Sequence, residues 1–167
     1  MSGKTGKPAT PRPDRRALSS AARLYAVQAL FQMEASGQSA DRVLQEFQTY
    51  RIGAEDDEGR SADADEALFG RLIDDAVTWQ SRIDQATDRG LVAKWPINRI
   101  DPVLRALFRA AGAELVTPRT PPKVVIAEYV RLAEAFFPDG KEPKFVNAVL
   151  DHVARQLRPD AFTDATN

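Results

Sequence analysis

A chain of 167 residues, 43% hydrophobic and 28% charged, is long enough to bury one core without disulfide or metal support, and it holds no apolar run near the roughly 20 residues that span a bilayer. With no cysteine, thiol nucleophiles, thiolate zinc sites and disulfide frameworks are excluded; this fits the cytoplasm, as does a polar N-terminus without the apolar stretch of a secretory signal. The net charge of −1 conceals an asymmetry: Lys4, Lys7, Arg12, Arg15 and Arg16 against Asp14 make the start basic, whereas the acids clustered between Glu55 and Glu66 face only Arg60.

Residues 1 to 13, rich in Pro, Lys, Thr and Gly, lack the periodic apolar positions that offset the entropy of ordering and form a disordered basic tail. From Arg15 to about Ala35, Leu24, Val27 and Phe31 recur at helical spacing, Ala26, Ala29, Leu30 and Met33 widen the stripe, and Gly37 offers a left-handed stop. Ser39 caps a second, short helix with Val43, Leu44 and Phe47 on its apolar face. Beyond the acidic loop, Ser61 or Asp63 starts a third helix that runs to about Gly90, with Leu68, Leu72, Ala76, Trp79 and Ile83 on one face.

Trp95-Pro96 interrupts the helical pattern, and Asp101-Pro102 restarts it, because an N-cap carboxylate accepts an orphan amide and proline lacks that donor. Val103, Leu104, Leu107, Phe108, Ala111 and Leu115 then form a stripe. Thr120-Pro121-Pro122 repeats the start signal ahead of Val125, Ile126, Tyr129, Val130, Ala133 and Phe136, and Pro138 with Gly140 ends that helix. The last helix opens around Pro143 and carries Val146, Leu150, Val153 and Leu157 up to Arg158-Pro159. No segment alternates with period two, so the fold class is all-α: a compact single-domain bundle of about six to seven helices over residues 14–158, followed by a disordered C-terminal tail at 159–167.

Catalytic chemistry has no candidate constellation. The lone His152 has no second histidine with which to form a metal site or dyad and reads as a boundary residue. Gly-rich phosphate loops, nucleophile elbows and zinc-helix motifs are missing, so neither a cofactor nor a metal is expected. Trp79 and Trp95 read as core-packing residues rather than base-stacking platforms. The more informative positions join cations to helix starts: Arg15, Arg16 and Arg23 in the first helix, and Lys141 with Lys144-Phe145 in the last. There, unpaired amides and the positive dipole end favour phosphate.

Four blocks in order carry a resemblance. Ala22-Arg23-Leu24-Tyr25-Ala26-Val27-Gln28-Ala29-Leu30-Phe31 resembles the first helix of the NusB family, and Trp95-Pro96-Ile97 with Arg99-Ile100-Asp101 resembles its central junction. Pro122-Lys123-Val124-Val125-Ile126-Ala127-Glu128 is similar to its next helix start, and Lys144-Phe145-Val146-Asn147-Ala148-Val149-Leu150-Asp151 to its most recognisable block. The resemblance spans about residues 15 to 158 and implies a bacterial, non-enzymatic transcription antitermination factor. Such a factor pairs with ribosomal protein NusE, binds boxA elements of nascent RNA and serves the RNA polymerase antitermination complex on ribosomal RNA operons.

By position, the resemblance implies RNA contacts from Arg15, Arg16, Arg23, Gln28, Lys144 and Phe145, and a NusE surface on the central helices at Arg105, Arg109 and Glu114. The sequence departs from the family where Ser19-Ser20-Ala21-Ala22 replaces a dense arginine run, where Ala127 replaces an asparagine and where Ala113 replaces an aromatic residue. Two alternatives stand beside this reading. One is an accessory RNA-binding module similar to the N-terminal domains of ribosomal RNA cytosine methyltransferases, whose nucleophilic cysteine this chain lacks. The other is a structural homodimer.

Overall fold

In the computed structural model, the described residues are 14–54, 63–91 and 95–162. They form seven α-helices and no strand: α1 (Arg15–Ser36), α2 (Ala40–Tyr50), α3 (Glu66–Thr78), α4 (Gln80–Gly90), α5 (Pro102–Val116), α6 (Pro122–Phe136) and α7 (Glu142–Leu157). The basic tail over 1–13 and most of the acidic loop lie outside the described residues. The caps are those the sequence provides. Asp14 accepts from the Ala17 amide at 2.7 Å, Ser39 from Arg42 at 3.3 Å and Asp101 from Val103 at 2.7 Å, and Gly37 closes α1 with φ +73°.

The centre of the molecule is α5. It is buried from Leu104 through Leu115 on every side except at Arg109, and it packs against α1, α3, α4, α6 and α7. A helix enclosed in this way needs small or apolar residues wherever no buried ion pair is formed. Ala106, Ala110, Ala111, Gly112 and Ala113 meet that need by letting neighbouring backbones approach closely. At Gly112 the approach is closest, because a Cβ there would collide with the Ile83 side chain of α4.

The third helix departs from expectation. Asp65 caps it instead of Ser61 or Asp63, accepting from the Leu68 amide at 3.0 Å, and its own amide donates to Leu18 O, also at 3.0 Å. The segment then breaks at Trp79, which takes non-helical angles (φ −107°, ψ 15°). The break re-aims the apolar stripe: α3 packs on α1 and α5, whereas α4 packs on α5 and α7. Trp79 sits at the bend and is left exposed, and Trp95 is 58% exposed, so neither tryptophan packs in the core as the sequence reading held.

The C-terminal boundary also moves. Pro159–Phe162 form one 3-10 turn, and Phe162 packs on the core beneath the Arg155 guanidinium, 4.6 Å from its ring centroid. The residues after Phe162 lie outside the described set. No helix among the described residues is long and apolar enough to cross a membrane.

The contact at Gly112 generates a test. Gly112→Ala gains about 1 kcal/mol of helix propensity but forces a methyl into Ile83, an overpacking cost of about 1–3 kcal/mol. A net loss of stability is expected in urea denaturation, seen as a lower midpoint with an unchanged slope; a midpoint at or above that of the parent chain contradicts the close packing described.

Candidate nucleic-acid interface

Arg23 lies on the apolar stripe of α1, between Ala22 and Ala26, and its side chain is turned inward. It is 6% exposed, and Glu114 of α5 is 3% exposed. The pair is bidentate: Arg23 Nε donates to Glu114 Oε1 at 2.9 Å and Nη2 to Oε2 at 2.8 Å. The buried Tyr129 hydroxyl of α6 donates to the same carboxylate at 3.2 Å, and Glu128 Oε2 stands 3.7 Å from Arg23 Nη1. Burial opposes the Arg23 charge, yet the bonds and field of Glu114 outweigh it, and the net shift is upward. Burial, then the neighbouring Glu114 charge, push the Tyr129 phenol well above its ordinary value.

Two expected assignments are therefore corrected. Arg23 does not face RNA, and Glu114 does not face a partner; each neutralises the other in the interior, where an unpaired charge is prohibitively costly. A sequence signal for this was present. Arg23 shares its stripe with Ala26, Val27 and Leu30, and Glu114 shares one with Leu107, Ala110 and Ala111. A charge on the buried stripe of a helix is paired inside, not offered to solvent.

Around this pair, the first half of α1 and the first two-thirds of α6 line an open groove of about 610 Å³. Its walls are two ladders at i, i+4 spacing: Arg15, Arg16, Ser19 and Arg23 on α1, and Lys123, Ala127 and Arg131 on α6. Ser19 and Ala127 are small, which keeps the middle open. Arg16, Arg131, Arg15 and Lys123 are all exposed. The first turn of α1 holds two arginines and no acid, the reverse of what the helix dipole favours, and the Asp14 carboxylate at the cap is engaged by the Ala17 amide.

Lys123 and Arg131 were absent from the sequence-derived set. Lys123 immediately follows Pro121-Pro122 and so repeats the cation-at-helix-start pattern of Arg15-Arg16; Arg131 lies two turns further along the same face. At the groove floor, Glu128 accepts from the Ser20 hydroxyl at 3.1 Å.

The other expected residues lie elsewhere. Lys144 is exposed and Phe145 half-buried in the first turn of α7. This is at the far end of α6 from Lys123, because α7 follows Phe136 after a short turn. Lys144 and Phe145 are not among the residues that line the α1–α6 groove. The Phe145 ring is engaged edge-on with Phe108 at 6.0 Å. Gln28 lines a different, apolar groove of about 460 Å³ with Phe31, Val103 and Phe136, and Phe31 is exposed there.

Arg105 and Arg109 are brought together at the opposite end of α5 from Glu114. Both line a cleft of about 600 Å³ beside Glu34 and Asp84. Arg105 is buried; its Nε donates to Glu34 at 2.8 Å, a second nitrogen also bonds Glu34, and Nη1 reaches Ile97 O at 2.9 Å. Arg109 bridges Asp84, at 3.1 and 3.0 Å, and Glu34 at 3.1 Å. The hydrogen bonds from Arg105 lead the causes that hold the Glu34 carboxyl below its usual range. His152 is half-buried, with Gln156 Nε2 3.0 Å from its ring nitrogen, and no group of ligating side chains that could hold a metal occurs among the described residues.

Comparison with known proteins places this architecture. A model of the NusB family matches residues 20–155. Transcription antitermination protein NusB of Maricaulis maris is 43% identical over 159 residues, covering 95% of this chain and 99% of that protein. Its counterpart in Granulibacter bethesdensis is 45% identical over 148 residues, 85% of this chain and 90% of that protein. Among solved structures, T. maritima NusB superposes with a TM-score of 0.67 at 28% identity, over 92% of this chain and 99% of that chain. A crystal structure of antitermination factors NusB and NusE in complex with dsRNA matches in fold, with a TM-score of 0.66 at 24% identity, over 82% of this chain and 96% of that chain.

Two outcomes follow from the charge networks. Arg23→Met strands Glu114 in the interior and should lower unfolding free energy by about 3–5 kcal/mol, whereas Arg23→Met with Glu114→Leu should recover most of the loss; chemical denaturation of both variants measures this, and a mild effect of the single variant contradicts the pairing. For Glu34, the depressed folded-state pKa means its stabilising contribution is fully present above the ordinary value of 4.5. That contribution is lost as pH falls through the lower folded-state value. Glu34→Gln should therefore flatten the acid limb of the stability profile, which thermal melts from pH 7 to pH 3 record.

Proposed function

Because this chain belongs to the NusB family, we propose that it is a transcription antitermination factor that acts by binding single-stranded RNA of the boxA type together with ribosomal protein NusE. The names of its relatives support the antitermination role, and the NusB–NusE–RNA complex of a protein with the same fold supports the choice of partners. The setting is the cytoplasmic RNA polymerase antitermination complex on ribosomal RNA operons, and the chain contributes affinity rather than turnover.

The observation that carries the RNA-binding part is the groove between α1 and α6, with Arg15 and Arg16 on one wall and Lys123 and Arg131 on the other. Cations positioned on rigid helices neutralise phosphates without selecting sequence; bases are read by polar and aromatic groups once they are unstacked. Four cations are few, so affinity of the chain alone is modest and strongly salt-dependent, and a second protein that extends the RNA surface raises it. The apolar groove around Phe31, bordered by Gln28, Val103 and Phe136, has the character of a protein-docking surface: an exposed aromatic anchor with a polar rim. Lys144, exposed in the first turn of α7, provides a further phosphate contact outside the groove.

Fluorescence anisotropy with a boxA oligonucleotide and the NusE complex tests the assignment. Arg16→Glu combined with Lys123→Glu should weaken binding at least tenfold at low salt. It should also reduce the slope of log affinity against log salt by about 1.4, two phosphates at about 0.7 each on a single strand, with the helical circular-dichroism spectrum unchanged. Wild-type affinity in that variant would remove the groove from the RNA path.

A further inference from the structure

Two exposed guanidinium groups, one from each wall of the groove, converge on a single carboxylate oxygen. Arg16 Nε lies 3.7 Å from Glu128 Oε1, and Arg131 Nη1 lies 3.8 Å from that same oxygen. The two nitrogens are therefore no more than about 7.5 Å apart, the two distances laid end to end. Neither separation is a hydrogen bond, so the donor forks of both arginines stay available, with their side chains 68% and 57% exposed. Allowing about 2.7–2.9 Å for a charge-assisted bond on each side, donors this close can reach one and the same phosphate group.

We propose that Arg16 and Arg131 jointly grip one phosphodiester of the bound RNA, and that Glu128 is the positioning residue that sets their spacing. The inference rests on the RNA-binding reading above and specifies how that groove works. Glu128 suits the task because it cannot swing away: its side chain is only 8% exposed, the Ser20 hydroxyl donates to its other oxygen at 3.1 Å, and Arg23 flanks that oxygen from the interior. Two like charges on opposite walls repel each other, and a fixed anion between and below them keeps both near the groove mouth before any ligand arrives. Preorganisation of this kind lowers the ordering cost of binding.

The test measures boxA-oligonucleotide affinity for the full chain in complex with NusE, at several salt concentrations, for the parent chain, Arg16→Ala, Arg131→Ala, the double variant and Glu128→Gln. If either arginine alone cannot hold the phosphate, each single variant loses about tenfold and the double little more. All three then reduce the salt slope by about 0.7. Independent phosphates would instead give multiplicative losses and a slope reduction of about 1.4 in the double variant, and that result overturns the clamp.

Glu128→Gln, with its helical spectrum intact, should weaken binding about fivefold although it removes a negative charge from a phosphate site. Tighter binding in that variant overturns the positioning role, since plain repulsion between Glu128 and RNA predicts it. Failure of the parent complex to bind the oligonucleotide overturns the RNA-binding reading and the clamp with it, whereas good parent binding with multiplicative losses overturns the clamp alone.

Discussion

The bidentate bond between Arg23 and Glu114 is the constraint on which the rest of the arrangement depends. Burying two opposite charges costs several kcal/mol per ion, offset only when geometry is good and the remaining lone pairs are satisfied. Here the geometry is fork-to-fork, and the Tyr129 hydroxyl completes the carboxylate. Three helices, α1, α5 and α6, thereby acquire one allowed alignment, because a slip of one turn along any of them strands a charge in the core. Apolar packing alone tolerates such slips far better. The same pair stands beside the groove between α1 and α6, which Arg23 helps to line.

A second network, at the other end of α5, does comparable work with more exposure. Glu34 of α1 and Asp84 of α4 take the two arginines near the start of α5, as the carbonyls of Ile97 and Ile100 take the remaining Arg105 donors. Arg105 near the start of α5 and Glu114 near its finish oppose the helix dipole, which a solitary helix would disfavour, and only the Asp101 cap favours it. Their presence is explained by tertiary partners. The interhelix loop at 97–100 is tied to α5 through the same guanidinium, so one side chain orders a turn and a helix pair together.

Most of the fold was legible because its signals are local. Asp14, Ser39 and Asp101 are caps, Gly37 is a stop, and Val146, Leu150, Val153 and Leu157 form a stripe that the structure buries. The break at Trp79 was not legible: no glycine or proline marks it, and its cause is the need to face α1 on one side and α7 on the other. The site was partly legible in the same sense. Arg15 and Arg16 announce themselves at a helix start, but the far wall of their groove comes from residues more than a hundred positions later. The Arg23–Glu114 partnership spans 91 positions, so reading either residue alone gives a surface charge, and only the observation that both sit on apolar stripes points inward.

The enclosure of α5 has a consequence for how the chain can be divided. Five of the other six helices pack on it, so a fragment ending before Pro102 would keep the contacts among α1, α2 and α3 but lose the helix on which their buried faces close. The core is accordingly complete only with α5 in place, even though the chain is a simple succession of short helices. Circular permutation is a gentler cut: new termini in the short turn between α6 and α7 leave every partner of α5 in place, and that is where the molecule can be reopened without losing its centre.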